Sequence, residues 1–245
     1  MIQSRLRHRL RALNLSDFES YTKLLNSDAG RSERKQLISA LTTNVSHFFR
    51  ENHHFEMLCG QLLSNRINAL RAGGKLRIWS AGCSNGQEAF SVAMALLTAE
   101  PEIANLDVKI LATDIDPVVV EFAQKARFAE RYINGIPNDL LLQHFARTDA
   151  PHETVYEAKL NLRKMVRFKE LNLLGAWPMK STFDAIFCRN VVIYFDQPTQ
   201  NQLWPRFKEI LLPDGLLFLG HSERIPAPEK VGFHTIGPTS YQRHG

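Results

Sequence analysis

Residues 76–90 read LRIWSAGCSNGQEAF, and this stretch decides the fold class. An apolar run, 76–80, enters a turn of small residues that contains Gly82 and Gly86, and a helix-like pattern follows. Further candidate strands lie at 108–113, 166–170, 183–188 and 216–220, and they alternate with candidate helices at 87–97, 118–126, 139–145 and 199–212. Such alternation predicts an α/β fold in which helices cover both faces of a mostly parallel sheet.

The glycine turn is not a pyrophosphate-binding turn. A dinucleotide-binding turn has the spacing G-x-G-x-x-G, whereas residues 81–86 read AGCSNG and lack the third glycine. The next acid at a strand end, Asp114, lies 32 residues after Gly82, rather than about 20 residues after it. No GK[ST] follows the turn, so a P-loop is excluded and an NAD site is disfavoured. Nucleoside binding is still compatible with the turn.

Asp114 is the candidate for ribose binding. It follows the apolar run of the second strand, where a carboxylate can accept two charge-assisted hydrogen bonds from a ribose diol. The alternative for such an acid is a helix cap, and Asp116 fits that role better because Pro117 follows it at the first helical position. A turn without phosphate-binding features and a ribose-binding acid suit S-adenosylmethionine, which has a ribose but no phosphate.

Two further segments carry polar residues that can face the same cleft. FDAIFCRNVVIYFD (183–196) places Arg189 and Asn190 just after a buried strand, at the sheet edge where ligands of α/β folds bind. TTNVSHFFRE (42–51) carries polar residues around two phenylalanines, namely Asn44, Ser46 and Arg50. An alternative for the second segment is a capping loop, with Ser46 as the N-cap and Phe48 and Phe49 in the core.

The first third of the chain looks helical throughout. Ser16 is a candidate cap for a helix at 17–26, and Ser32 is one for a helix at 33–41 that buries Leu37, Ile38 and Leu41. A third helix is predicted at 51–70, and residues 71–75 read as a linker. The predicted domains are therefore a helical domain at 1–72 and an α/β domain at 73–245.

Composition excludes several classes of protein. No stretch approaches the roughly 18–20 apolar residues that span a bilayer, and the basic N-terminus MIQSRLRHRLRAL has no apolar core of a secretory signal. Cys59, Cys83 and Cys188 show neither paired spacing nor a CxxC motif. We therefore expect reduced thiols in a cytoplasmic protein, no membrane insertion and no metal site.

The basic charge lies in the first third of the chain. The formal net charge is +5; residues 1–75 hold 12 Lys and Arg against 6 Asp and Glu, and the remainder holds 18 against 19. Such a field attracts nucleic acid, anionic lipid or an acidic protein surface, unless it is simply a solvated face.

Six segments together resemble the chemotaxis receptor methyltransferases, the CheR family: TTNVSHFFRE, WSAGCSNGQEAFSVAMAL, LATDID, NLL, FDAIFCRNVVIYFD and LLPDGLLFLGHSE. They cover nearly the whole chain in the family order. The resemblance implies a small all-helical N-terminal domain and a Rossmann-like class I methyltransferase domain that binds S-adenosylmethionine. It also implies a cytoplasmic enzyme that methylates glutamate side chains on the cytoplasmic helices of chemoreceptors and releases S-adenosylhomocysteine.

The resemblance also implies site residues. Arg50 and Tyr194 match the positions nearest the transferred methyl group. The cofactor contacts fall on Asn44, Ser46, Arg50, Gly82, Glu88, Asp114, Asn172, Leu173, Arg189 and Asn190. The alternative for Glu88 is a favourable charge in the first turn of a helix, and the alternative for Tyr194 is an aromatic packed under the helical domain.

Two departures from the family pattern affect these assignments. The GEEPYS-like run of the family reads GQEAFS at 86–91, and Ser46 stands where threonine is frequent. Glu88 keeps the carboxylate expected nearest the ligand ammonium, and Ser46 keeps the hydroxyl.

The expected partners follow from the charge and the resemblance. A basic N-terminal face could steer acidic receptor helices, with Arg31, Arg34 and Lys35 as one cluster and a second cluster at Arg5, Arg7, Arg9 and Arg11. A small β-subdomain is predicted near 150–168; in some family members it binds a receptor C-terminal peptide. We expect a monomer that binds no nucleic acid.

Two alternatives stay open on sequence alone. An RNA methyltransferase would interleave aromatic and basic residues on an exposed surface, but the N-terminal aromatics sit at core spacing. A non-catalytic module that only binds the cofactor would lack residues such as Arg50, Asp114 and Asn190, and all three are present.

Overall fold

The structure is a computed structural model that describes residues 2–150 and 153–245. Residue 1, which belongs to the predicted range 1–72, and residues 151–152, which belong to the predicted range 150–168, lie outside the described residues. The α-helices are α1 Ile2–Ala12, α2 Phe18–Asn26, α3 Arg31–Leu41, α4 His53–Met57, α5 Ser64–Arg71, α6 Gln87–Ala99, α7 Pro117–Lys125, α8 Asn138–His144, α9 Leu160–Met165 and α10 Gln197–Ile210.

A twisted central sheet organises the α/β part of the chain. Its strands are β1 Leu76–Ala81, β2 Val108–Asp114, β6 Val166–Glu170, β7 Phe183–Cys188, β8 Leu211–Leu219, β9 Phe233–Gly237 and β10 Ser240–Arg243, while β3 Arg127–Ala129, β4 Phe145–Ala150 and β5 Glu153–Ala158 form a separate small sheet. The order of the central sheet is β6-β2-β1-β7-β8-β10-β9. The neighbouring strands β6, β2, β1, β7 and β8 pair in parallel. Strand β10 pairs antiparallel with β8, and β9 pairs antiparallel with β10 at the edge of the sheet. The predicted mostly parallel sheet is confirmed.

Alternation along the strands divides the core between the two faces of this sheet. In β1, Ile78 belongs to one buried cluster and Trp79 to the other. In β7, Phe187 and Ile186 divide in the same way. Because successive side chains of a strand point to opposite faces, each central strand anchors both layers of helices.

The helix that precedes the sheet shares its core. Residues 53–71 form a continuous helical segment, in which a π-helical stretch, Leu58–Leu63, joins α4 to α5. Phe55, Leu58 and Leu63 are buried in the same cluster as Ile78 of β1. The helical segment 53–71 thus shares its core with the α/β part of the chain. The domain boundary between residues 72 and 73 stays a prediction.

The N-terminal helices are joined by a buried polar contact. Glu33 of α3 accepts hydrogen bonds from Arg9 Nε at 2.9 Å and from the Tyr21 hydroxyl at 2.8 Å. Hydrogen bonding from Arg9 lowers the pKa of Glu33, and burial raises the pKa of Tyr21 to about 12. A contact that joins α1, α2 and α3 in this way fixes their packing where few apolar side chains are fully buried.

Both predicted N-caps in this region are wrong. Asp17 caps α2, since its carboxylate accepts the Ser20 N–H at 2.7 Å while the Ser16 hydroxyl donates to Asp17. Ser32 lies inside α3, which continues directly from a 3-10 turn, Asp28–Gly30. Leu41, predicted to be buried, is 41% exposed.

Asp116 ties the helical region to the sheet. Its carboxylate accepts the Val118 N–H at 2.9 Å, which caps α7 as predicted, and its other oxygen accepts the Asn44 amide at 2.7 Å and the Thr42 hydroxyl at 3.0 Å. A fully buried carboxylate that is satisfied from both sides fixes the position of residues 42–44 over the end of β2.

The small sheet differs from the β-subdomain that the sequence predicted. The small sheet has the order β3-β5-β4 and takes strands from both sides of α8. Within the predicted range 150–168, β5 belongs to this sheet, whereas α9 is helical and β6 begins the central sheet. Phe48 packs edge-on against Phe128 and Phe145, so the small sheet is fastened to the segment 42–51.

No helix in the described part of the chain is long and apolar enough to cross a membrane. Cys59, Cys83 and Cys188 are free thiols, and burial raises the pKa of each of them.

The turn after β1 provides a stability prediction. Gly86 has φ +89°, and a Cβ there would lie 2.9 Å from the Ala123 Cβ and 3.1 Å from the Phe168 ring. Gly73 has the same φ with nothing within 4 Å. We expect Gly73→Ala to cost about 1–2 kcal/mol for the left-handed backbone, and Gly86→Ala to cost about 1–3 kcal/mol more for the steric overlap. Urea unfolding measures both; equal losses would mean that Gly86 has room for a methyl group.

Candidate active site

A cavity of about 390 Å³ opens at the carboxyl edge of the central sheet. It lies where the loops after β1, β2, β6 and β7 meet residues 41–50. Every sequence-predicted site residue lines it, namely Asn44, Ser46, Arg50, Gly82, Glu88, Asp114, Asn172, Leu173, Arg189, Asn190 and Tyr194. The structure therefore brings the whole predicted set to one place, of a volume typical of small-molecule sites.

The glycine turn forms one wall of the cavity. Gly82 has φ +92°, and its N–H donates to Thr113 O of the neighbouring strand at 2.7 Å. A Cβ on Gly82 would overlap the Val191 side chain. The glycine is thus required by the close approach of the loop after β7, a reason that the sequence does not reveal.

Asp114 projects into the cavity from the end of β2, as predicted. One oxygen accepts the Ser84 N–H at 2.8 Å and the other accepts the Asp116 N–H at 3.0 Å. Burial raises the pKa of Asp114, and these two N–H groups oppose the shift. Since each carboxylate oxygen has two lone pairs, an acceptor site is left on each for a diol in the cavity.

Glu88 and Arg189 form a buried ion pair on the floor of the cavity. Arg189 Nη1 lies 3.3 Å from Glu88 Oε2, and the Ser80 hydroxyl donates to Glu88 Oε1 at 2.6 Å. Burial raises the pKa of Glu88, while the Arg189 guanidinium favours the charged form. Glu88 also lies in the first turn of α6, so both functions proposed for it from sequence are compatible with its position.

Arg189 has a second carboxylate partner, Glu51, which the sequence analysis did not assign to the site. Glu51 Oε2 lies 3.3 Å from Arg189 Nη2, and Glu51 Oε1 accepts the His221 N–H at 3.2 Å. Burial favours the neutral form of Glu51, but Arg189 and His221 outweigh it and the pKa of the carboxyl is lowered. Arg189 also donates to Arg50 O and lies over the Phe55 ring. Glu51 is the acidic last residue of the FFRE run at 48–51. Its position in that motif is the sequence signal that could have identified it.

Glu223 is a second buried acid near the cavity that the sequence analysis did not single out. It is 3% exposed and follows β8 in the run GHSE. Its carboxylate accepts backbone N–H groups from the loop that carries Asn190, the loop that follows β7. Asp114 directly follows its predicted strand, whereas Glu223 is separated from the predicted strand at 216–220 by His221 and Ser222, so the same rule did not select it.

Residues 42–51 close the cavity from the helical side. The side-chain amide of Asn44 donates to Asp116, and the main-chain carbonyl of Asn44 accepts a hydrogen bond from the Ser84 hydroxyl at 3.0 Å. Ser46 does not cap a helix, since residues 43–47 are irregular, and its carbonyl accepts the Gln87 amide at 3.4 Å. Among the described residues, the Arg50 side chain makes only long contacts, with Val45 O at 3.4 Å and Glu51 at 3.8 Å. Its guanidinium donors are therefore available to a ligand.

The remaining predicted residues lie at the rim. Asn172 forms a turn in which its side chain accepts the Leu174 N–H at 2.9 Å, and Leu173 is buried beside it. Tyr194 is 61% exposed at the end of a 3-10 turn, so the alternative of an aromatic packed under the helical domain is wrong.

Exposed apolar side chains surround the cavity mouth. We call this set the apolar rim; its members are Leu41, Val45, Ile115, Leu174 and Tyr194, each at least 40% exposed. Exposed apolar residues gathered at one place mark an interaction surface more often than isolated ones do.

These features define an α/β protein with a small-molecule-sized cavity at the carboxyl edge of its sheet, an arrangement that suits a class I methyltransferase. The family comparison agrees. Residues 44–241 match the model of the CheR methyltransferase, SAM binding domain, and residues 1–42 match that of the CheR methyltransferase, all-alpha domain. The chain belongs to the CheR methyltransferase family and is an enzyme that uses S-adenosylmethionine.

Curated relatives extend the match over nearly the whole chain. A probable chemotaxis protein methyltransferase of Rhizobium etli is 42% identical over 99% of this chain and 90% of its own length. Chemotaxis protein methyltransferase of Escherichia coli is 40% identical, over 98% and 82%. Chemotaxis protein methyltransferase 2 of Pseudomonas aeruginosa is 39% identical, over 98% and 84%. The resemblance found from the sequence motifs is confirmed.

Glu88→Gln tests whether the buried carboxylate contributes to cofactor binding. We expect affinity for S-adenosylhomocysteine to fall about tenfold, because a charge-assisted hydrogen bond to the ligand ammonium is lost. Titration calorimetry measures the affinity, and Glu102→Gln, in an exposed ion pair with Arg71, is the control.

The same variant has an expected pH signature. Folding raises the pKa of the Glu88 carboxyl above its ordinary value. The folded protein therefore loses stability progressively as the pH rises above the ordinary pKa of this carboxyl. The melting temperature of Glu88→Gln relative to wild type should therefore increase from pH 5 to pH 8. A difference that does not change with pH would contradict the role of burial.

Proposed function

We propose that this protein transfers a methyl group from S-adenosylmethionine to glutamate side chains of chemoreceptors, forming glutamyl methyl esters. The observation that carries the proposal is the convergence of the family's motif residues on one cavity at the carboxyl edge of the sheet. The names of the curated relatives support the chemotaxis assignment.

The lining residues fit the parts of the cofactor. Asp114 has free acceptor positions for a ribose diol, and Ile115 and Leu173 offer apolar surface for a base. Glu88 suits the ammonium and Arg50 suits a carboxylate, which it can hold in a fork geometry. The four charged residues of the lining are two acids and two bases. This balance leaves a neutral site for a zwitterionic amino-acid end.

The chemistry makes small demands on acid and base groups. When bound, S-adenosylmethionine supplies the methyl group on a sulfonium. A glutamate acceptor, with an unperturbed pKa of about 4.3, is already ionised at neutral pH and needs no general base. The protein's task is to align the acceptor oxygen and exclude water, and such positioning is worth roughly 7–11 kcal/mol in favourable cases. We assign this task to Arg50 and Tyr194, which line the cavity.

The surface around the cavity supports a protein acceptor. The apolar rim offers contact area to a polypeptide that inserts a side chain, and Val45 in it is 79% exposed. Arg5 and Arg9 are engaged in internal contacts, with Thr42 O at 2.8 Å and with Glu33. Arg34 of the predicted clusters donates to Leu25 O and, at 3.1 Å, to Ser27 O. The other exposed members, which we propose for steering acidic receptor helices, are Arg7, Arg11, Arg31 and Lys35. A receptor C-terminal peptide as a second ligand and a monomeric state stay predictions.

Two substitutions separate the proposed roles at the cavity mouth. We expect Arg50→Ala to lower kcat about 100-fold, because it removes charged donors. We expect Tyr194→Phe to lower it about tenfold or less, because it removes one neutral hydroxyl. Both are measured with saturating cofactor and receptor-bearing membranes. Wild-type turnover by Arg50→Ala would exclude the role given to the guanidinium.

Labelled cofactor tests the function directly. The wild-type protein is supplied with methyl-labelled S-adenosylmethionine and either receptor-bearing membranes or RNA. Base-labile label that is released as methanol, on the receptor alone, is the expected result. Label on RNA would establish the nucleic-acid alternative, and no transfer at all would favour a module that only binds the cofactor. Arg50→Ala serves as the inactive control.

A further inference from the structure

Glu223 is a buried carboxylate whose acceptor positions are filled by main-chain donors. Its Oε2 accepts the N–H groups of Asn190 at 2.9 Å and Gly220 at 2.6 Å, and its Oε1 accepts those of Val191 at 2.8 Å and Ile193 at 3.2 Å. Three of the four donors belong to the loop after β7, which has no strand partner at that point to accept them. Glu223 therefore takes the place of a ladder of backbone carbonyls.

The loop held by Glu223 has a backbone path that needs support. Asn190 has φ +59°, a left-handed conformation that is costly for a residue with a Cβ. Its side chain packs so closely on Gly220 that a Cβ there would lie 2.5 Å from Asn190 Nδ2. The next residue, Val191, fills the space above Gly82. The loop is thus fitted between the two neighbouring strand ends.

We infer that Glu223 is a positioning residue of the cofactor pocket, which acts through the backbone of residues 190–193 to place Asn190 and Val191 in the cavity wall. This inference rests on the proposed function of the cavity. Glu223 does not line the cavity itself. Any effect of its side chain on the cofactor is therefore transmitted by the loop.

Glu223→Gln is the sharpest substitution, because it keeps the shape of the side chain. Each carboxylate oxygen accepts two N–H groups, and an amide nitrogen can accept none. Two donors are therefore left unpaired in either orientation of the amide. We expect the dissociation constant of S-adenosylhomocysteine to rise about 10- to 100-fold in this variant.

Asp184→Asn is the matched control. Asp184 is also a buried carboxylate that accepts a main-chain N–H, that of Arg77 at 2.8 Å, and pairs with Arg66 at 3.2 Å. It lies near the start of β7, so roughly 16 Å of strand separates it from the loop. We expect this variant to lose thermal stability and to keep the ligand affinity of wild type to within about twofold.

Hydrogen exchange provides a readout that needs no ligand. The amide protons of residues 190, 191 and 193 should be protected in the wild-type protein and in Asp184→Asn, and should exchange about tenfold or more faster in Glu223→Gln. A double-mutant cycle with Asn190→Ala should show coupled losses of affinity, because both changes act on one loop.

The outcomes distinguish the inference from the function on which it rests. Unprotected amides in the wild type, or unchanged affinity together with unchanged exchange in Glu223→Gln, would overturn the positioning role. Equal affinity losses in Glu223→Gln and Asp184→Asn would reduce it to general stability. If wild type bound no S-adenosylhomocysteine, the proposed function would fail, while the exchange data would still decide whether Glu223 holds the loop.

Discussion

The site depends on the ion pairs that the buried guanidinium of Arg189 forms with two carboxylates. It pairs with Glu88 from the start of α6 and with Glu51 from the segment before the sheet, and it follows β7 itself. Three segments far apart in the chain are therefore joined by one side chain. Removal of one partner of a buried ion pair is strongly destabilising, since an uncompensated charge is left behind. Arg189 thus both lines the cavity and joins the segments that form its walls.

Around this ion cluster, buried carboxylates satisfy main-chain N–H groups of the loops and of one helix start. Asp114 holds the turn after β1, Asp116 holds the start of α7 and the segment 42–44, and Glu223 holds the loop after β7. Each of them accepts main-chain N–H groups at the carboxyl edge of the sheet. The loops there can be irregular and still ordered, because their donors are satisfied. Irregular but ordered backbone is what a site built from several loops requires.

The sequence predicted the elements that local pattern determines. The strands predicted at 166–170 and 183–188 agree with β6 and β7. Strand β6 alternates apolar and charged residues and β7 is a largely apolar run, and both patterns are typical of strands. Of the small sheet, only the region of β5 lay in the range predicted for a β-subdomain. Strands β3 and β4 and the β9–β10 hairpin were not predicted, since these strands are short and partly exposed and their pairing depends on distant partners. Asp114, Arg189 and Asn190 were proposed from their positions after predicted strands, and the full set of site residues was proposed from the motif resemblance. Glu51 and Glu223 were missed because their partners are main-chain groups or charges far along the chain.

The way in which Glu223 holds its loop has a consequence for divergence within the family. A carboxylate that grips main-chain N–H groups is indifferent to the side chains that those residues carry. Ile193, which donates its N–H to Glu223, is 46% exposed, so its side chain can be exchanged without altering the hydrogen bond that holds the backbone. The outer face of this loop can therefore diverge among relatives while the backbone that carries Asn190 and Val191 keeps its course.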